Sequence, residues 1–157
     1  MDLTSLGITF GYGIETTPGT KPNTFTQLKR CNSIPEINLE SEQIDVSALE
    51  DKITQYAEGR QDTGGTWSPV FNFSEERATE LMKMIDDSKT AKNSGKRTWY
   101  EVLIPGVSKG FFVVATPGEK IPLPSIEQNG ALTVPISLTI NEYVGLDDKV
   151  DFGDSGE

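Results

Sequence analysis

The chain of 157 residues carries 24 acidic against 14 basic residues, a formal charge of −10, with 35% hydrophobic residues and no histidine. That length suits one domain with one core and leaves no room for two of ordinary size. The charge argues against gripping nucleic acid through its phosphates, which needs clustered Lys and Arg; the nearest groups here are the pairs Lys29-Arg30 and Lys96-Arg97. Repulsion also needs charge, so contact with DNA without binding stays open. Without His the commonest general base and metal ligand are missing. Cys31 is the single cysteine, so it has neither a disulfide partner in the chain nor a His to activate it. It reads as a half-buried small apolar residue in a strand.

In chain order, the first residues have no basic start and no apolar run of signal-peptide kind. No stretch reaches the roughly twenty apolar residues of a membrane helix, so a soluble protein made in a cytoplasm is expected. GITFGYG at 7–13 predicts a short strand. Gly11-Tyr12-Gly13 lacks the third glycine and the flanking strand and helix of a nucleotide fingerprint. Residues 15–24 read as a loop. Residues 25–32 and 35–47 read as two strands joined by a short turn. In the second, Glu36, Asn38, Glu40 and Glu42 alternate with Ile37 and Leu39. Ile44 and Val46 then move the apolar positions from odd to even numbers, which requires a bulge near Gln43 or the end of the strand.

Residues 48–65 hold no helical stripe beyond a turn and read as a long exposed loop. Loops of more than about 12–15 residues in a compact domain are usually functional or disordered. A strand follows at 66–73. Ser74 is a good N-cap, with Glu75 and Glu76 in the first turn. Ala78, Leu81, Met82 and Ile85 then predict one amphipathic helix over 75–88, with Met82 and Ile85 in the core. Residues 97–105 and 110–116 predict a hairpin. The last strand, 131–143, puts Val134, Ile136, Leu138 and Ile140 on one face and Thr133, Ser137, Thr139 and Asn141 on the other. Pro135 cannot donate to a ladder and belongs at an edge or bulge. Residues 146–157 read as a flexible acidic tail. Its Asp147, Asp148, Asp151 and Asp154 lack the spacing of a calcium loop. The fold class expected is mainly β (α+β), with one domain over 1–145.

An enzyme would have to rely on carboxylate pairs across a cleft lined by aromatics, and Trp67, Trp99 and Tyr100 read more naturally as core or interface. No catalytic residue, cofactor or metal is expected. A monomeric carbohydrate-binding module of a phage or cell-surface protein would share the composition but would want exposed loop aromatics, and loop 48–65 offers only Tyr56. Long strands, a long loop without active-site chemistry and a loose acidic tail suit self-assembly better.

The order FTQLKRCNSIPEI (25–37), EQIDVSALED (42–51), YAEGRQDTGG (56–65), strand and helix resembles the major tail tube proteins of long-tailed bacteriophages, over roughly 5–145. The family order is an I-D-V-S/T-x-L segment, a charged loop, a G-x-x-D-x-G exit, a strand and a helix. No single motif carries the resemblance; order and spacing do. It implies a β-sandwich or partial barrel with a flanking helix. It also implies six copies in a ring, with rings stacked into a tube that carries DNA, and kinship with secretion-system tubes. The partners implied are the chain itself, a tail-tip or baseplate initiator, a tail terminator, and a tape-measure protein and DNA passing through the lumen without tight binding. Assembly in a bacterial host cytoplasm into a virion tail goes with them, and no membrane is involved. On this reading Glu36, Asn38, Glu40, Glu42, Thr133, Ser137, Thr139 and Asn141 are candidates to face the lumen, where carboxylates would keep phosphates off the wall; the same positions suit an outer solvated surface. Glu50, Asp51, Lys52, Tyr56, Arg60 and Asp62 are candidate subunit or ring contacts, and Phe152 is a candidate to dock on a neighbour.

Overall fold

Two β-rich strands of the sequence, RTWYEVLIP and GFFVVAT, form the centre of the molecule because both of their faces are apolar. In the computed structural model, which describes residues 7–37, 40–46, 48, 53, 56–62, 65–124, 126, 128, 130, 132–150 and 152–153, they become β8 (Thr98–Leu103) and β9 (Lys109–Pro117). They pair antiparallel as expected. The turn between them has Val107 N–H donating to the Ile104 carbonyl at 3.1 Å, with Gly106 at φ 91°. Pro105-Gly106 is the pair a type II turn requires.

Around this hairpin lies a seven-stranded sheet in the order β12-β2-β1-β8-β9-β11-β6. The other members are β1 (Thr9–Ile14), β2 (Phe25–Leu28), β6 (Thr66–Trp67), β11 (Leu138–Asp148) and β12 (Phe152–Gly153). A three-stranded sheet, β10-β7-β3, is built from β3 (Cys31–Ser33), β7 (Val70–Asn72) and β10 (Thr133–Pro135). A two-stranded sheet pairs β4 (Glu40–Asp45) with β5 (Tyr56–Asp62). The single helix among the described residues, α1, spans Glu75–Asn93. The architecture is mainly β, open rather than closed into a barrel.

Three stretches that read as single strands are each divided between the two larger sheets. Residues 25–32 divide at Lys29-Arg30, where Arg30 takes φ 61°. Residues 66–73 divide at Ser68-Pro69, and 131–143 at Ile136-Ser137. A proline stands at or beside two of these crossings, and the crossings are tied to one another: Ile136 N–H donates to the Pro69 carbonyl and Asn72 N–H to that of Arg30, each at 2.9 Å. Strands that bend from one sheet into another make the corners of a sandwich. The apolar alternation continues through the bend, so Val134, Ile136 and Leu138 are all buried. Periodicity therefore shows the strand and not its change of sheet. Pro135 lies on β10, an edge strand, as its missing N–H demands.

The seven-stranded sheet buries both faces. Phe10, Tyr12, Tyr100, Val102, Val113 and Ala115 face the main core, under α1 and the smaller sheet. The residues between them, Trp99, Phe112 and Val114, join Phe25 in a second cluster covered by Val144, Val150 and Phe152. Residues 146–150 and 152–153 are thus no free tail. Residues 146–148 belong to β11, Val150 N–H donates to Glu101 Oε2 at 2.8 Å, and Phe152–Gly153 pair parallel with β2. Phe152 packs on its own chain. The apolar Val150 and Phe152 inside the acidic run explain why. Residues 154–157 lie outside the described residues.

The helix is longer than 75–88. Its N-terminus is as expected, with Ser74 Oγ accepting from Arg77 N–H at 3.3 Å. Its buried stripe is Leu81, Met84, Ile85, Ser88 and Ala91, and Met82 is 56% exposed. The stripe follows i, i+3, i+4, i+7 from Leu81, which puts Met84 rather than Met82 beneath the helix. Replacing Ser74 by Ala removes the cap and is expected to cost about 1 kcal/mol, read as a fall in the denaturation midpoint at unchanged slope.

Candidate assembly surfaces

The segment with most of the sequence-derived candidates forms a hairpin. Residues 56–62 are a strand, where the sequence suggested the second half of a loop. YAEGRQD is polar and contains a glycine, so nothing in its composition marks a strand; its pairing with β4 does. The register seats Glu40 opposite Asp62, Ser41 opposite Gln61, Gln43 opposite Glu58, Ile44 opposite Ala57 and Asp45 opposite Tyr56. It slips between Ser41 and Gln43, the irregularity that the change of apolar parity near Gln43 requires. Arg60 lies at that slip. Asn38, Glu50, Asp51 and Lys52 lie outside the described residues. Glu36 is exposed on the connection from β3 to β4.

Of the remaining candidates, Thr133 is half-buried on β10. Ser137 is exposed at the sheet crossing, and Thr139 and Asn141 are exposed on β11. Asn141 is an extra residue in its strand. Ile140 pairs with Ala115 and Glu142 with Val114, so Asn141 bulges from the ladder. The bulge shifts the core-facing parity from Ile140 to Tyr143. Asn141 Nδ2 donates to Thr116 Oγ1 at 2.8 Å.

That pair borders a cleft of about 370 Å³ between the C-terminal end of α1 and the ends of β9 and β11, with Lys92, Lys96 and Arg97 on its other wall. A smaller recess beside it adds Lys89 and Glu119. Lys89 and Lys92 occupy the last two turns of α1 and Lys96 follows its C-cap. The helix dipole favours cations there. Ending the helix at 88 hides this grouping in the sequence; carrying it to Asn93 brings Lys89 and Lys92 together with the Lys96-Arg97 pair. Among the described residues these three lysines make no ion pair, whereas Arg97 is held by Glu15 at 3.0 Å and Glu142 at 2.8 Å.

Glu15 is the anchor of this end of the fold. It is 1% exposed and accepts from Gly19 N–H (3.1 Å), Arg97 N–H (2.8 Å), Arg97 Nε (3.0 Å) and Trp99 Nε1 (2.8 Å). Burial alone would raise its pKa, but the donors from Trp99, Arg97 and Gly19 together outweigh it and hold the carboxyl below its ordinary value. Burial also pushes the Cys31 thiol up to about 11, against a weaker contrary pull from Ser33, so the thiol is protonated at neutral pH. Among the described residues no group of three or more His, Cys, Asp or Glu is placed to hold a metal ion, and no helix is long and apolar enough to cross a membrane. Trp67, Trp99 and Tyr100 are buried and offer no platform on which a sugar could stack.

No family model matches the sequence, and no curated protein does. The fold does have a counterpart among solved structures. A chain in the cryo-EM structure of the anti-feeding prophage (AFP) baseplate, 6-fold symmetrised, superposes with a TM-score of 0.53 at 11% identity, over 90% of this chain and 93% of that one. Across nearly its whole length, this chain has the fold of a protein found in a prophage baseplate.

Proposed function

We propose that this chain is a structural protein of a phage-type tail or injection apparatus, assembling as six-fold rings that stack into a tube. The observation that carries the reading is the match of fold over nearly all of both chains to a member of a six-fold symmetrised baseplate. The role is mechanical rather than catalytic. The partners are further copies of the chain, a baseplate or tail-tip initiator below and a terminator above, with the tape-measure protein and DNA inside. The site of action is the virion tail, reached from the host cytoplasm.

The physical chemistry of the chain supports such a role. A net charge of −10 disfavours adhesion of a polyanion to the wall. The β4–β5 hairpin is a sheet of two strands, and isolated two-stranded hairpins are marginal in water. Its ordering cost falls when a neighbour supplies contacts. Assembly is accordingly slow without a starting platform.

Negative-stain electron microscopy of the concentrated full chain, against a variant lacking 50–62, tests the reading. Rings or hollow tubes from the intact chain, abolished in the variant, are expected. A well-folded intact chain that forms neither at any concentration, even when offered a baseplate complex, would sink the proposal.

A further inference from the structure

We infer that the lysine-walled cleft at the end of α1 is the receptor for the acidic β4–β5 hairpin of a second copy of this chain. The inference rests on the assembly reading and gives that contact its two faces. The first support is charge. Residues 36–62 hold eight acidic and two basic residues, and the cleft presents Lys92 and Lys96, with Lys89 on the recess beside it, all three free of ion pairs among the described residues. In a chain of charge −10, such a local cationic surface is the natural seat for an acidic segment of another copy.

The second support is the hairpin's register. Glu40 is the direct partner of Asp62, and like charges at opposed positions destabilise a strand pair. A two-stranded sheet with that pairing has little to hold it by itself. A cationic surface from outside neutralises the like-charge pair and gives the hairpin something to dock against. The third is the form of the cleft. Beside the lysines it exposes the neutral polar pair Asn141 and Thr116, able to exchange hydrogen bonds with an incoming edge strand. Glu119 stands on the recess wall and limits the favourable ground to the Lys92–Lys96 side.

The test is a charge swap in the full chain, read by analytical ultracentrifugation at about 50 mM and about 500 mM NaCl. One variant carries Lys89→Glu, Lys92→Glu and Lys96→Glu, the other Glu40→Lys, Glu42→Lys and Glu58→Lys. Each alone is expected to weaken self-association about tenfold or more at low salt, and an equimolar mixture to recover it. The hairpin variant discriminates best. Its net charge moves toward zero, so general repulsion predicts stronger association, whereas loss of this contact predicts weaker.

Electron microscopy of the same samples separates this inference from the ring reading. Association restored by mixing, without rings, upholds the cleft and removes the rings. Rings that survive charge reversal of the cleft overturn the cleft and keep the rings. A native chain that stays monomeric to about 1 mM at low salt overturns the contact, and so does association unmoved by salt.

Discussion

Replacing Glu15 by Gln is expected to lower stability at neutral pH by about 2–4 kcal/mol, because the amide presents N–H groups to donors that a carboxylate satisfied. Four N–H groups converge on the two oxygens of this buried side chain. A Gln in the same place keeps one acceptor oxygen and turns its nitrogen toward an N–H. The consequence spreads, since Arg97 loses one of its two carboxylates and Trp99 its indole partner. The pH dependence has a definite sign. The folded-state pKa of Glu15 lies below its ordinary value of 4.5. Its contribution is therefore present in full above that value and lost as the pH falls from 4.5 through the lowered folded value. Urea denaturation of both proteins should show a gap that is constant from pH 7 to about 5 and narrows steadily below about 4. A gap that stayed constant down to pH 2, or widened, would mean that Glu15 is not ionised in the folded chain.

The parts of the structure governed by periodicity were legible in the sequence. The β8–β9 hairpin, the edge position of Pro135, the start of α1 at Ser74 and the register slip near Gln43 all stand where residue patterns put them, because each is decided by neighbours a few positions away. What was not legible depends on contacts distant in sequence. The crossings at Arg30, Pro69 and Ser137 leave the apolar alternation intact, so a strand that changes sheets looks like a strand that does not. Residues 56–62 are polar and became a strand through pairing with 40–45. Met82 and Met84 are chemically the same, and the sheet beneath chooses between them. The lysine cleft is illegible in the sequence for a related reason. Its members lie at 89, 92 and 96, across the end of a helix whose last turn carries few apolar residues. The candidate hairpin, by contrast, was visible as acidic and unusual, and the structure supplies the strand pairing that its composition hides.

Replacing Gly11 by Ala is expected to destabilise the fold by about 2–3 kcal/mol, as overpacking of a closed site does, although the backbone conformation itself would accept alanine. A Cβ at Gly11 would lie 2.3 Å from Phe152 Cε1, 2.8 Å from its Cδ1 and 2.5 Å from the Thr26 carbonyl oxygen. Removing a glycine commonly adds about 0.4–1 kcal/mol by restricting the unfolded chain, so the clash must exceed that gain before any loss is seen. The two obstacles differ in kind. The Phe152 ring can swing away, at the cost of uncovering the second cluster around Trp99 and Phe112. The Thr26 oxygen belongs to β2, the partner of β1, and moves only with the sheet. A double-mutant cycle with Phe152→Ala separates them. The ring's share disappears in the double variant, giving a coupling of about 1 kcal/mol or more, and the carbonyl's share persists. Strict additivity would show that the C-terminal segment does not lie over Gly11 in solution. A coupling of the expected size means that the glycine at 11 leaves room for Phe152, beside Val150, to close the second face of the sheet, which a chain with a free acidic tail would not need.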